Sequence, residues 1–375
     1  MAGIYLHIPF CKSRCIYCDF YTTTQLANTD IYVEALVQEI KQRKDYLVDS
    51  IQTIYLGGGT PSLLTIRQLD KLFNVLSATF DLSSVEEVTL EANPDDLNSN
   101  YLKDLVHTPI NRLSVGIQSF NDEQLRKLNR RHTAQQAIEA IKKSQEFGFS
   151  NISIDLIYGL PMENKMDWER DISQAISLDI QHISAYHLIY EEGTPIYKSL
   201  LEGRIKEVEE DLSVQFFDYL MNSLNEASFE HYEISNFCKK GFRSMHNSSY
   251  WNGAHYLGCG PSAHSFNGQS REWNVSSLPE YVDGINSGHR NSEIEVLNVT
   301  TQYNDYVITS LRRSEGIDLN YVKKVFGEKL YQHCLNNAQQ HLNSYTLSLK
   351  NNNLKLTRKG IFVSDGIMSD LLFIL

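Results

Sequence analysis

The segments TIYLGGGTP (residues 53–61) and IRQLDKLFNVLSATF (66–80) read as one strand–turn–helix unit. The first is a short apolar run with β-branched residues that ends in glycines and a proline, as a strand covered on both faces does. The second carries apolar residues at helical spacing. The unit recurs. Further strands are predicted at GIYLHIP (3–9), EVTLEANP (87–94), RLSVGIQSF (112–120), NISIDLIYGLP (151–161) and HISAYHLIY (182–190). Helices are predicted at 31–47 and 133–149, the second capped by Thr133 and stopped at Gly148. Six alternating units predict an α/β fold with a parallel sheet and right-handed crossovers. They fall short of the eight that close a barrel, so the expected architecture is an open, curved, partial (β/α)6 TIM-like barrel. Ligands in such folds sit beyond the carboxyl ends of the strands. GGGTP, EANP, Gln118 and the segment after Ile154 all fall there.

After about residue 205 the texture changes. A helix is expected at 208–229, followed to about residue 295 by an irregular stretch rich in aromatics, histidine, glycine and asparagine. Helical patterns then cover 303–313, 319–326 and 329–343, and YTLSLKNNNLKLT reads as two short strands around an Asn-rich turn. The expected division is a barrel core over 1–205, a linker region over 206–299 and a C-terminal helical, winged-helix-like domain over 300–375. The final residues, IFVSDGIMSDLLFIL, are apolar enough for peripheral contact with a membrane; a core-packing helix is the expected use.

The 375 residues include 34 Lys and Arg against 46 Asp and Glu, a net charge of -12. That balance argues against a general nucleic-acid binder. The local group Arg126, Lys127, Arg130 and Arg131 reads either as a small-anion site or as a solvated helix face. There is no apolar run of ~18 residues and no basic-then-apolar leader, so a cytoplasmic protein, monomer or dimer, is expected. Of six cysteines, Cys238, Cys259 and Cys334 are scattered, which does not suggest a disulfide framework.

The other three cysteines are clustered. In MAGIYLHIPFCKSRCIYCDF (1–20), Cys11, Cys15 and Cys18 follow the spacing C-x3-C-x2-C. A structural zinc site wants four ligands, and His7 is the nearest candidate for the fourth. A four-iron cubane is normally held by four thiolates, so three leave one iron open to a substrate or cofactor. Polar residues in otherwise apolar strands add to the pattern. Glu91 closes the third strand, Gln118 closes the fourth, and Asp155 lies in the fifth. Each needs a partner, either an internal hydrogen bond or a shared ligand. The glycines of LGGGTP allow backbone to approach a ligand closely, and no G-x-x-x-x-G-K-[ST] phosphate loop is present. The guanidinium of Arg130 suits a carboxylate.

The cysteine spacing, followed by a partial α/β barrel, resembles the radical S-adenosylmethionine (SAM) superfamily. YLHIPFCKSRCIYCDF, YLGGGTP, TLEANP, RLSVGIQSF, LNRRH and IDLIYGLP resemble its oxygen-independent coproporphyrinogen III oxidase family over nearly the whole chain. The resemblance implies a radical SAM fold and a [4Fe-4S] cluster on Cys11, Cys15 and Cys18. It also implies SAM chelated on the fourth iron, with reductive cleavage of SAM to a 5′-deoxyadenosyl radical. Carried over by motif, SAM contacts fall on Tyr5, Tyr17, Gly58, Gly59, Thr60, Glu91, Gln118, Arg130 and Asp155, and more weakly on Ile189.

Two features divide the family. Its decarboxylases resemble C-x3-C-x2-C-x-C and carry a longer N-terminal extension. Here the fourth cysteine position holds Phe20, and Tyr5 follows almost directly on Met1. Both point to the family's heme-chaperone branch, with coproporphyrinogen III decarboxylation to protoporphyrinogen IX as the alternative. MHNSSYWNG (245–253) reads H-N-x-x-Y-W, a motif the resemblance associates with heme. The implied contacts are His246 as axial ligand, Asn247 orienting its ring, and Tyr250 and Trp251 against the porphyrin. Cys259 and His264, in YLGCGPSAHSF (256–266), are alternative ligands or ordinary packing residues. The implied partners are heme and a heme-accepting apoprotein.

Overall fold

A computed structural model describes residues 2–374. Strands β1 (Ala2–Ile8), β2 (Ile51–Gly58), β3 (Glu87–Ala92), β4 (Arg112–Gln118), β5 (Ile152–Tyr158) and β6 (His182–His187) lie side by side in chain order, each pair parallel. All six predicted strands are present. They are covered on both faces, which explains their near-continuous apolar sequences. Ile4, Leu6, Ile54, Leu56, Leu90, Leu113, Ile154 and Ile183 are among their buried core residues.

The helices between them start and stop as their sequences dictate. In the helix Ile66–Thr79 the cap Thr65 accepts from the Gln68 backbone while the Gln68 side chain accepts from the Thr65 backbone. Thr133 and Gln136 repeat this box ahead of Ala134–Glu146. Each cap is worth about 1 kcal/mol against alanine. Gly148, at φ +99°, turns the chain out of the second helix. Ile66–Thr79 buries Leu69, Leu72, Phe73, Val75 and Leu76 against the sheet, each worth about 1.5–3 kcal/mol.

The sheet is larger than the six units. Strands β7 (Glu230–Glu233) and β8 (Asn236–Cys238) add antiparallel to the β6 edge. On the other side β9 (His255–Cys259) pairs parallel with β1, and β10 (His264–Phe266), β11 (Ser270–Asn274) and β12 (Ser292–Val296) continue antiparallel. The order is β12-β11-β10-β9-β1-β2-β3-β4-β5-β6-β8-β7. The stretch expected to be a linker therefore supplies strands to both ends of the sheet. Its aromatic- and glycine-rich composition masks runs too short to show a period of two.

One buried carboxylate fastens the added strands. Glu39 lies in the helix Thr29–Gln42 and is fully buried. It accepts from Gly260 N (2.7 Å), Tyr281 OH (2.7 Å) and Asn274 Nδ2 (2.8 Å), and Arg43 lies 3.6 Å away. Arg43 in turn donates to the Gly258 carbonyl at 2.8 Å and to Glu272 at 3.2 Å. Both oxygens of a costly buried charge are thus engaged.

A separate apolar core gathers Tyr303, Val307, Leu311, Val322, Ala338, Leu347, Leu354 and Leu371. The helix Val299–Arg312 is followed by a helical stretch, Leu319–Asn343, interrupted at Gly327 (φ +84°), so the two separate patterns predicted there are two helices. The predicted hairpin forms from β14 (Leu347–Lys350) and β15 (Asn353–Leu356). The short β13 (Ile317–Asp318) joins it in the order β13-β15-β14. Asn351 and Asn352, at φ +53° and +61°, make the turn. The apolar C-terminal residues do pack as a core helix: Ile367, Met368 and Leu371 are buried. Among the described residues no helix is long and apolar enough to cross a membrane.

Candidate functional site

The carboxyl ends of β1 to β6 surround a cavity of about 470 Å³. Cys11, Cys15 and Cys18 line it together with Tyr17, Gly58, Gly59, Thr60, Glu91, Gln118, Arg130, Asp155 and Ile189. Residues scattered over most of the barrel sequence thus meet in one chamber. Tyr5 is the exception: it lies behind this wall, on a neighbouring pocket.

The cysteine loop leaves β1 and is pinned at its neck by Cys11 N to the Thr23 carbonyl (2.9 Å) and Thr23 N to the Pro9 carbonyl (2.7 Å). All three thiols are free. Burial pushes Cys11 up from its ordinary pKa and Cys18 to about 11, so both are protonated at neutral pH without a metal. Two donors already address the sulfurs: Thr60 OH donates to Cys11 Sγ and an Arg130 N–H to Cys15 Sγ, each at 3.5 Å. Thiolates bound to iron take such donors. His7 does not complete a zinc site. Its Nδ1 meets Tyr5 OH at 3.1 Å, its Nε2 meets the Tyr21 carbonyl at 3.0 Å, and burial lowers it to about 4. The residues present therefore fit a cluster held by three thiolates better than a four-ligand zinc.

The turn after β2 is shaped by what a side chain would strike. Gly58 sits at φ +104°, where a Cβ would lie 2.6 Å from the His7 ring. At Gly59 a Cβ would lie 2.8 Å from the Ile8 and Phe10 carbonyls. Only glycine brings this backbone against the cysteine loop. Gly58 N donates to Glu91 Oε2 at 3.0 Å, and Tyr55 OH donates to Glu91 Oε1 at 2.7 Å. Burial nevertheless raises Glu91 to about 7, and the nearby Asp155 adds to the shift. Asp155 is itself raised to about 6 by burial, against hydrogen bonds from Ser184 and Ser114. Two buried carboxyls with raised pKa values thus share one cavity, an arrangement a nearby cation would relieve. Gln118 holds a left-handed backbone (φ +72°) at an irregularity in the β4–β5 pairing. Such strain in a non-glycine residue clusters at ligand sites.

Arg130 organises the chamber. It donates to Asn93 Oδ1 at 2.6 Å and to the Gly116 carbonyl, besides Cys15. Asn93 Nδ2 donates to Thr60 Oγ1 at 3.2 Å, closing a chain from Arg130 through Asn93 and Thr60 to Cys11. Asn93 was not singled out in the sequence; its signal was its place two residues after Glu91, just past the end of β3. Ser114, Gly116, Tyr186 and His187 also line the cavity and were missed. Of the basic group, only Arg130 faces the chamber. Arg131 pairs with Asp95 at 2.7 Å and Lys127 with Glu123 at 2.8 Å.

The H-N-x-x-Y-W segment forms the helix Met245–Trp251. The Glu87 carboxylate accepts from the N–H groups of Met245 and His246, both at 2.9 Å. His246 is buried, with Nδ1 at 2.8 Å from Thr53 Oγ1 and Nε2 at 2.9 Å from Tyr250 OH. Burial lowers it to about 3. Thr53 and Tyr250, rather than Asn247, orient the ring; the Asn247 backbone N–H instead donates to the Ser244 cap oxygen. The Arg312 guanidinium stacks over Trp251 at 4.8 Å. Tyr250 lines a second pocket of about 320 Å³, with Tyr5, His7, Tyr21, Tyr256 and His264, and Asp19 and Phe20 line both pockets.

Comparison with known proteins agrees with this geometry. The model of the radical SAM superfamily matches residues 5–175. The chain is 34% identical to the heme chaperone HemW of Lactococcus lactis, over 87% of this chain and 86% of that one. It is 36% identical to the HemW of Bacillus subtilis, over 88% and 87%. The coproporphyrinogen III oxidase HemN of Escherichia coli superposes with a TM-score of 0.86 at 22% identity, covering 100% of this chain and 90% of that one, a likeness of fold.

Proposed function

The chain belongs to the HemW family of the radical SAM superfamily, and from that premise we propose that it is a heme chaperone that receives heme and delivers it to an acceptor protein. Cys11, Cys15 and Cys18 would hold the [4Fe-4S] cluster. Tyr17, Gly58, Gly59, Thr60, Glu91, Gln118, Arg130 and Asp155 would hold SAM, with Tyr5 supporting the wall from behind. In this superfamily the cluster supplies the electron for SAM cleavage. The protein's own part is electrostatic. Glu91 and Asp155 offer negative charge to SAM's ammonium and sulfonium, and Arg130 offers a planar cation to its carboxylate. Heme would be received beside the H-N-x-x-Y-W segment, near Tyr250.

One observation carries the choice of chaperone over decarboxylase. Phe20 occupies the position of the decarboxylases' fourth cysteine, and the residue is 63% exposed on the cavity wall. With Ile189, also exposed, it gives the mouth an apolar rim suited to a flat apolar ligand. The test is direct. Anaerobically reconstituted protein is given SAM, reductant and coproporphyrinogen III, and is separately titrated with heme. Stoichiometric heme uptake without carbon dioxide release is expected. Decarboxylation at enzyme-like turnover would reject the reading.

A further inference from the structure

His246, the histidine of the heme-associated motif, is poorly placed to bind iron. Both of its ring nitrogens are engaged, and the ring is packed so closely that a Cβ on Gly3 would lie 3.2 Å from it. His7 is likewise engaged at both nitrogens. His255 gives one nitrogen to Asp49 at 2.9 Å.

His264 is different. Its side chain is exposed on the wall of the second pocket, and its ring nitrogens make no hydrogen bond or ion pair among the described residues. It lies at the start of β10, opposite Trp273 in β11, and the two rings stack at 5.7 Å with 25° between their planes. Its backbone is held by close packing on β9, where a Cβ at Gly258 would fall 2.0 Å from the His264 carbonyl oxygen. The backbone is therefore fixed and the ring rests on Trp273, while its nitrogens remain available. Facing it across the pocket are Tyr250 from the motif helix and Tyr256 from β9, which meet edge to face at 4.7 Å.

We propose that His264 is the axial ligand to the heme iron, and that the H-N-x-x-Y-W segment contributes the aromatic wall through Tyr250 rather than the iron ligand. The inference rests on the heme-chaperone reading. Ligation needs no redox step: a neutral imidazole nitrogen donates its lone pair to the iron, as in other histidine-ligated hemes. Asp19 and Phe20, shared by the two pockets, would set the porphyrin edge beside the SAM chamber.

The experiment is a heme titration of the full chain followed by absorption and EPR, with wild type, His264→Gly and His246→Gln. In His264→Gly we expect the wild-type ligation spectrum to be lost and heme affinity to fall at least about tenfold. Loss of an outer-shell partner alone costs that much in metal affinity. Added imidazole should restore the spectrum and SAM binding should be unchanged, while the melting temperature should fall only modestly, through the lost stack on Trp273 and the glycine placed in β10. His246→Gln should keep the spectrum. An unaltered spectrum in His264→Gly, or loss of it in a folded His246→Gln, overturns the assignment while leaving the chaperone reading intact. If the wild type takes up no heme, both fall.

Discussion

Replacing Glu91 by glutamine separates what this residue costs the fold from what it does for a ligand. Its carboxyl sits at about 7 rather than the ordinary 4.5, because burial penalises the charge more than Tyr55 and Gly58 stabilise it. At 1.36 kcal/mol per pH unit, that difference makes ionisation in the fold cost about 3 kcal/mol. The sign follows from linkage. A group whose pKa is raised by folding gives stability below 4.5 that is lost as pH rises through about 7. Between pH 5 and pH 8 the metal-free wild type should thus lose about 2 to 3 kcal/mol that Glu91→Gln does not lose. The variant keeps an acceptor for Tyr55 OH and leaves Gly58 N without one, a loss of about 1 kcal/mol that is the same at both pH values. Urea denaturation of both proteins at the two pH values isolates the effect as a difference of differences. Equal gaps at pH 5 and pH 8 would refute the reasoning. The ligand should report the opposite trend. A cation meeting Glu91 draws its proton off, so SAM affinity in the wild type should weaken by up to about tenfold per pH unit below 7. In Glu91→Gln it should be weak and flat with pH.

Cys15→Ala should abolish the absorbance of the reconstituted cluster with little change in far-UV circular dichroism, whereas Cys238→Ala, at a buried site outside the chamber, should keep it. Arg130→Lys cannot reproduce the contacts to Asn93, Gly116 and Cys15; calorimetry should show SAM binding weakened by about tenfold or more, since hydrogen bonds to charged groups are worth about 1.5–3 kcal/mol. Glu39→Ala leaves the Gly260 N–H and the Tyr281 OH without their buried acceptor and removes one of the two carboxylates beside Arg43, and should destabilise by about 3–5 kcal/mol in denaturant melts. A smaller loss than Phe20→Ala, which stands exposed, would overturn the structural role assigned to Glu39.

The parallel barrel was legible because its strands are buried on both faces and announce themselves as apolar runs ending in glycine or proline. Thr133 and Gly148 bracketed a helix for reasons local to a few residues. The cysteine loop and the GGGTP turn were legible for the same reason, since each carries its chemistry in consecutive positions. What stayed hidden depends on distant pairs. The β9–β12 extension is built from strands of three to five residues, too short for periodicity. Asn93 matters because Arg130 and Thr60 reach it from loops distant in sequence. His246 reads in sequence as a free imidazole, and only the register of β2 and the turn of its own helix bring Thr53 and Tyr250 to its two nitrogens.

The parallel seam between β1 and β9 joins residues 2–6 to residues 255–259. A nascent chain therefore carries a bare, apolar sheet margin from the moment its first strand emerges until more than half of its length has been made. Ladders of such wide sequence separation close slowly, and an uncovered margin recruits strangers. A shortened version ending after β6 would keep every cysteine of the loop and yet be expected to clump, because the strand that hides its first edge would never arrive.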